Sequence, residues 1–306
     1  LRCGSAYLLF TPLLAACSQE ELLPGEEDTR KELELSTEWV IQETRSGSYT
    51  GTSENQWTGN EEITVTAGNN TKTYTVQNDG SVKAGNNGPI YWTNNNPLTV
   101  SAYYTPVSSL TTRYKIETGQ NQTYDASTGI TKFDRSDALY APPVTVKYGE
   151  TAQLSFRHLT AYVIIHVTTD SSTEIENMSN ASIKIVNQHT ESGIVSSDGS
   201  VAQQTTVGTK SITPLSTGND ATYKEAKALL VPQHTTGSKF ITVSFNNNSI
   251  VYSYTPLSTH PIHLEAGKKY TFNLKLTKTN LVLESQSIKD WEVESETIVS
   301  DPPRNP

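Results

Sequence analysis

Six histidines, two cysteines and 32 acidic side chains are the groups in this 306-residue chain with chemistry to offer. Their spacing assembles none of the familiar sites: no GxSxG elbow, phosphate-cradling P-loop, GxGxxG or HExxH occurs. His260 and His263 stand three apart, which would share a face on a helix. They flank Pro261, however, in a stretch that reads as a connection or a strand, where that spacing divides them between faces. His158 and His166 lie eight apart in a strand-like region and share a face by parity, as hydrogen-bonded core or rim histidines more readily than as a ligand pair. Cys3 and Cys17 both fall within the first seventeen residues, so the body of the chain has neither a disulfide framework nor a thiolate metal site. The acidic residues gather at the two ends, where solvated strand faces account for them. These patterns predict no enzyme, no cofactor and no metal.

Composition narrows the partners. A net charge of -9 leaves no basic stripe to displace counterions from a phosphate backbone, so nucleic acid is not an expected partner. No run approaches the roughly 18 apolar residues of a spanning helix, which puts any membrane attachment at the start of the chain. There, Arg2 precedes an apolar stretch from Ala6 to Ala16, broken by Thr11 and Pro12 and ending in Leu14-Ala15-Ala16-Cys17. The pattern resembles a bacterial lipobox, which predicts a signal peptide over 1–17 and acylation of Cys17; a chance cysteine near an apolar terminus is the alternative. Ser18-Gln19-Glu20-Glu21 and Gly25-Glu26-Glu27-Asp28 follow. This acidic stretch is similar to the tether that directs some lipoproteins to the outer face of the outer membrane, and it also reads as a plain solvated linker.

The elements that must position any site are strands. Fifteen tyrosines and many Thr, Ser and Asn suit half-buried strands joined by polar turns. β-Branched or aromatic runs such as 62–66, 98–104, 162–168, 183–186, 240–245 and 270–276 alternate with turn clusters such as Asn78-Asp79-Gly80, Asn94-Asn95-Asn96-Pro97 and Asp198-Gly199. Short, evenly spaced strands of this kind predict all-β sandwiches. One short helix is expected over Ala221 to Leu230, stopped before Pro232. Tyr140-Ala141-Pro142-Pro143 marks the expected seam, with domains over 46–150 and 151–306 and an acidic tether plus first strand over 18–45.

Two terminal segments share a parity. Leu33, Leu35, Thr37, Trp39 and Ile41 alternate with a largely acidic set, and so do Trp291, Val293, Ser295, Thr297 and Val299. Period-2 patterning puts the first set of each pair on a buried face. Ordinary edge strands guarded by glutamates are the plainer reading. Between the first segment and the body lies the polar loop Gln42 to Ser48, in which Arg45 offers a trypsin-like cleavage site; Arg30 and Lys31 are rivals, but a cut there would leave the first strand attached.

The order of these features resembles the Mfa-like fimbrillin family, the subunits of type V pili. The family's lipobox, single strand and "TR" loop are matched by Cys17, 33–41 and Thr44-Arg45. Trp57 with Ile63-Thr64-Val65, Ala102-Tyr103-Tyr104, Ser136-Asp137-Ala138-Leu139-Tyr140-Ala141, Leu154/Phe156/His158, Val231-Pro232-Gln233, 266–276 and Ile288/Asp290/Trp291 match in turn. Thr105 intrudes before Pro106 in the "AYYP" motif. The resemblance implies two transthyretin-like, Greek-key β-sandwich domains and a surface lipoprotein precursor. It further implies an arginine-specific protease that removes the 33–41 strand, and a neighbouring pilin subunit whose C-terminal donor, contained within Leu281 to Val299, fills the groove. The rival reading is a surface glycan-binding lipoprotein with Trp57, Trp92 and tyrosines as a sugar-stacking platform.

Overall fold

The computed structural model describes residues 30–39, 57, 59, 61–105, 112–121, 123, 131–169, 177–203, 208–291 and 297–299. Among these the protein is all-β, with no α-helix. The first unit contains β1 (Leu35–Trp39), β2 (Glu62–Ala67), β3 (Asn70–Val76), β4 (Val82–Ala84), β5 (Leu98–Tyr104), β6 (Leu139–Val146) and β7 (Ala152–His158). They form one seven-stranded sheet in the order β1-β7-β6-β5-β2-β3-β4. Alternation sends Ile63, Val65, Tyr74, Val76, Val100, Ala102, Leu154 and Phe156 into one core, around which the sheet curls.

The second unit is a two-layer sandwich. Its strands are β8 (Ala161–Thr169), β9 (Ser182–Gln188), β10 (Lys210–Ile212), β11 (Leu215–Asn219), β12 (Tyr223–Leu230), β13 (Gln233–Thr235), β14 (Ile241–Phe245), β15 (Ile250–Tyr254), β16 (Ile262–Leu264), β17 (Lys268–Leu276), β18 (Leu281–Asp290) and β19 (Thr297–Val299). One sheet runs β11-β12-β8-β17-β18-β19 and the other β10-β9-β14-β15, with β13 and β16 as a separate pair. Val163, Ile165 and Val167 of β8, Phe272 and Leu274 of β17, and Ile183, Ile185, Ile241 and Val243 of the facing sheet share one core.

Three expectations are corrected. The stretch expected to be helical is β12: Lys224, Ala226, Ala228 and Leu230 all point inward with period 2, between β8 and β11. Ala, Lys, Glu and Leu favour helices intrinsically, but the pairing available on both edges overrides that weak preference. Pro142 and Pro143 are not a seam. They lie inside β6 at a register shift opposite Ser101, beyond the two residue pairs that join β6 to β7, where a missing N–H costs least. The expected border at 150/151 falls between β6 and β7, two strands of one sheet. The change of core comes at His158 and Leu159 instead, and Tyr114, Ile116 and Ala138 from the earlier part of the chain pack into the second core.

Candidate functional site: the seat of the first strand

β1 is bonded on both sides. Along one edge it runs parallel to β7, with Leu35 opposite Ala152, Thr37 opposite Leu154 and Trp39 opposite Phe156, and Ala152 N–H donates to the Glu34 carbonyl at 2.9 Å. Along the other, Ser36 bridges Ser81 and Glu32 bridges Tyr91, both antiparallel. Leu33 N–H donates to Ile90 O at 2.8 Å, Trp92 N–H to Lys31 O at 2.9 Å, and the Thr37 N–H and hydroxyl both donate to Gly80 O at 3.1 and 2.8 Å. The strand thus closes the first sheet between β7 and the strip around β4. The strip is itself pinned, because Ile90 N–H donates to the Tyr74 phenol oxygen at 2.7 Å. Burial pushes that phenol's pKa up, so it stays neutral.

Gly80 fits this contact for a local reason. Its φ is +80°, and a Cβ there would lie 3.0 Å from the Thr37 carbonyl oxygen.

The side chains divide by parity. Leu33 is 1% exposed, and Leu35 and Trp39 pack half-buried against the same core. On the outer face Thr151 donates to Glu34 at 3.0 Å, while Gln153 and Ser155 both donate to Glu38. Trp39 belongs to an aromatic cluster, with ring centroids 5.0 Å from Trp57 and 5.2 Å from His158; Trp57 presents an edge-on contact to Phe156 at 5.2 Å.

The C-terminal segment meets the same cluster. Trp291 is 6% exposed, packs with Tyr162 and Leu229, and stacks on His158 at 3.5 Å with an interplanar angle of 11°. β18, just before it, pairs with β17 along its whole length, so the part able to leave the sheet without stripping it begins after Asp290. β19 adds three residues at the sheet edge, pairing Thr297, Ile298 and Val299 with Ile288, Ser287 and Gln286. Cys17, Ile41, Arg45, Val293 and Ser295 lie outside the described residues.

His158, His166, His234 and His263 make ring contacts within the fold. His158 and His166 fall on different strands, β7 and β8, so their parity match carries nothing. His158 Nδ1 lies 2.9 Å from Asp137 Oδ1, and His166 contacts Asn273 and Glu225 at 2.9 and 3.1 Å. His263 faces His234 across the β13–β16 pair, with rings 4.1 Å apart, and His260 sits beside Thr259. No group of three or more metal-ligating side chains occurs among the described residues. A cleft of about 490 Å³ borders His158, with Arg157, His234, Glu265, Lys268 and Asp290 in its wall. The tryptophans of the rival sugar platform are not displayed, since Trp57 and Trp92 are both buried.

A family model described as fimbrillin-like matches residues 44–291. A crystal structure of a candidate cell adhesion protein from Bacteroides uniformis superposes with a TM-score of 0.61 at 18% identity, covering 87% of this chain and 99% of that one. A second candidate cell adhesion protein, from Bacteroides ovatus, gives 0.59 at 19% identity, again over 87% of this chain and 99% of the other. At these identities the likeness is one of fold. No curated protein matches the sequence.

Proposed function

The chain belongs to the fimbrillin-like family, and on that premise we propose that it is a type V pilus subunit that polymerises by strand exchange and supports adhesion. In this reading the precursor is a surface lipoprotein acylated at Cys17 and held at the outer membrane. An arginine-specific protease cuts after Arg45, the 33–41 strand departs, and the C-terminal segment of another pilin subunit takes its place. Trp291, Val293, Ser295, Thr297 and Val299 form the inserted face.

The observation that carries the proposal is the double-edged seat of β1. From β1 the chain reaches the rest of the fold through residues 40–56, which include Arg45. The departure of β1 leaves two rows of backbone groups unpaired and an apolar slot over Leu154 and Phe156. Unmade backbone hydrogen bonds and exposed apolar surface are both costly, so the vacated sheet demands another strand of the same parity. While tethered, β1 has an effective concentration of order mM in its own groove and outcompetes a dilute neighbour. Cleavage removes that advantage, and exchange between two strands that each carry one Trp and several aliphatic residues becomes close to neutral.

The test is limited trypsin treatment of the purified precursor, followed by N-terminal sequencing and negative-stain microscopy. The wild type is expected to begin at Ser46 and to form filaments. Arg45→Ala keeps the plug and stays monomeric. Val293→Asp is cut but does not polymerise, because an unpaired charge on the inserted face costs several kcal/mol to bury. Filaments formed at normal rates by Arg45→Ala with the strand still attached would overturn the proposal.

A further inference from the structure

The two segments that must move in this reading share one imidazole. Trp39 of β1 lies 5.2 Å from the His158 ring at 24°, and Trp291, the root of the C-terminal segment, lies 3.5 Å from it at 11°. His158 is fixed from behind: it ends β7, its side chain is fully buried, and its Nδ1 bonds to Asp137, which also accepts from the Thr160 hydroxyl. Neither indole is fixed comparably, for the Nε1 donors of Trp39 and Trp291 are both buried without an acceptor. A buried donor left unpaired costs free energy, so each tryptophan is retained by stacking and packing against that cost. Stacks on a shared ring are coupled, because withdrawing one partner exposes the ring and loosens the position the other relies on.

We propose that His158 is a clamp joining the two ends of the subunit, so that departure of β1 releases the root of the C-terminal donor in the same molecule. The inference rests on the strand-exchange reading. It adds to that reading an order of events: a subunit whose groove is still plugged also keeps its donor docked, and becomes able to give a strand only as it becomes able to receive one. Two plugged precursors are thereby kept from joining.

Hydrogen exchange on the uncut, monomeric full chain tests the coupling without any polymer. The reporter is the Trp291 amide, which donates to the Gly267 carbonyl at 2.8 Å. Trp39→Ala is expected to speed its exchange at least fivefold. Leu35→Ala, which loosens the same strand opposite Ala152, is expected to speed exchange in β1 and leave the Trp291 amide within twofold of wild type. His158→Leu is expected to reproduce the Trp39→Ala effect. Should it prevent folding, the Trp39 and Leu35 pair decides alone. Equal effects of Trp39→Ala and Leu35→Ala on the Trp291 amide, or no effect of either, would overturn the clamp. Because filaments are not involved, failure here leaves strand exchange standing, and failure of Arg45→Ala to block filaments would not remove a measured coupling.

Discussion

β1 and β17 are both laid parallel to a neighbour, an arrangement slightly weaker per residue than antiparallel pairing, yet they are held very differently. β17 runs for nine residues between β8 and β18, and its Tyr270, Phe272, Leu274 and Leu276 are all buried. β1 runs for five residues, and its side chains are at best half-buried, with the fully buried Leu33 just ahead of it. Its second edge is held by isolated bridges rather than a continuous ladder. How firmly each strand is held therefore follows from flanking and burial, not from strand direction.

The largest test of this contrast is Phe272→Ala. Its ring is fully buried and meets Phe240 edge-on at 5.3 Å, so about 3–5 kcal/mol should be lost and the second unit should unfold earlier in urea. Leu33→Ala comes next, at about 2–3 kcal/mol. Its loss should appear as faster exchange and protease attack in β1 and the strip around Ile90, with the second unit's midpoint unchanged; a shared shift of both units would break the comparison. Gly80→Ala puts a side chain at φ +80° against the Thr37 carbonyl, and about 1–2 kcal/mol of local strain should loosen β1 selectively. Smallest is Glu38→Ala. Gln153 and Ser155 lose an exposed acceptor, and less than about 1 kcal/mol should follow. A larger value would mean that polar contacts, not apolar burial, hold the strand.

Much of this contrast was legible from parity. Leu33, Leu35, Thr37 and Trp39 alternate with exposed glutamates as the pattern requires, and the alternation of Tyr270, Phe272, Leu274 and Leu276 marks β17 as core. His158 also reads correctly as a hydrogen-bonded core histidine. What parity does not contain is partnership across distance. The Trp39–His158–Trp291 stack joins three stretches that no local pattern connects, and nothing about Gly80 within its turn indicates the Thr37 carbonyl beside it. β12 departs from its helical composition for a related reason, since only the strands on either side make it extended. The prolines of β6 do not end it, because the pairing with β7 stops before them and their missing N–H costs little there.

The double-edged seat of β1 also bears on mechanical load. A strand bonded along both sides and pulled along its own axis is loaded in shear, so its hydrogen bonds share the force instead of opening one after another like a zip. The bonds that Leu33 and Thr37 donate to Ile90 and Gly80, and the one that Glu34 accepts from Ala152, would have to fail together. Whatever strand occupies that seat inherits the geometry. A fibre joined through it would resist tension along its length far better than a force that peels the strand sideways from one end.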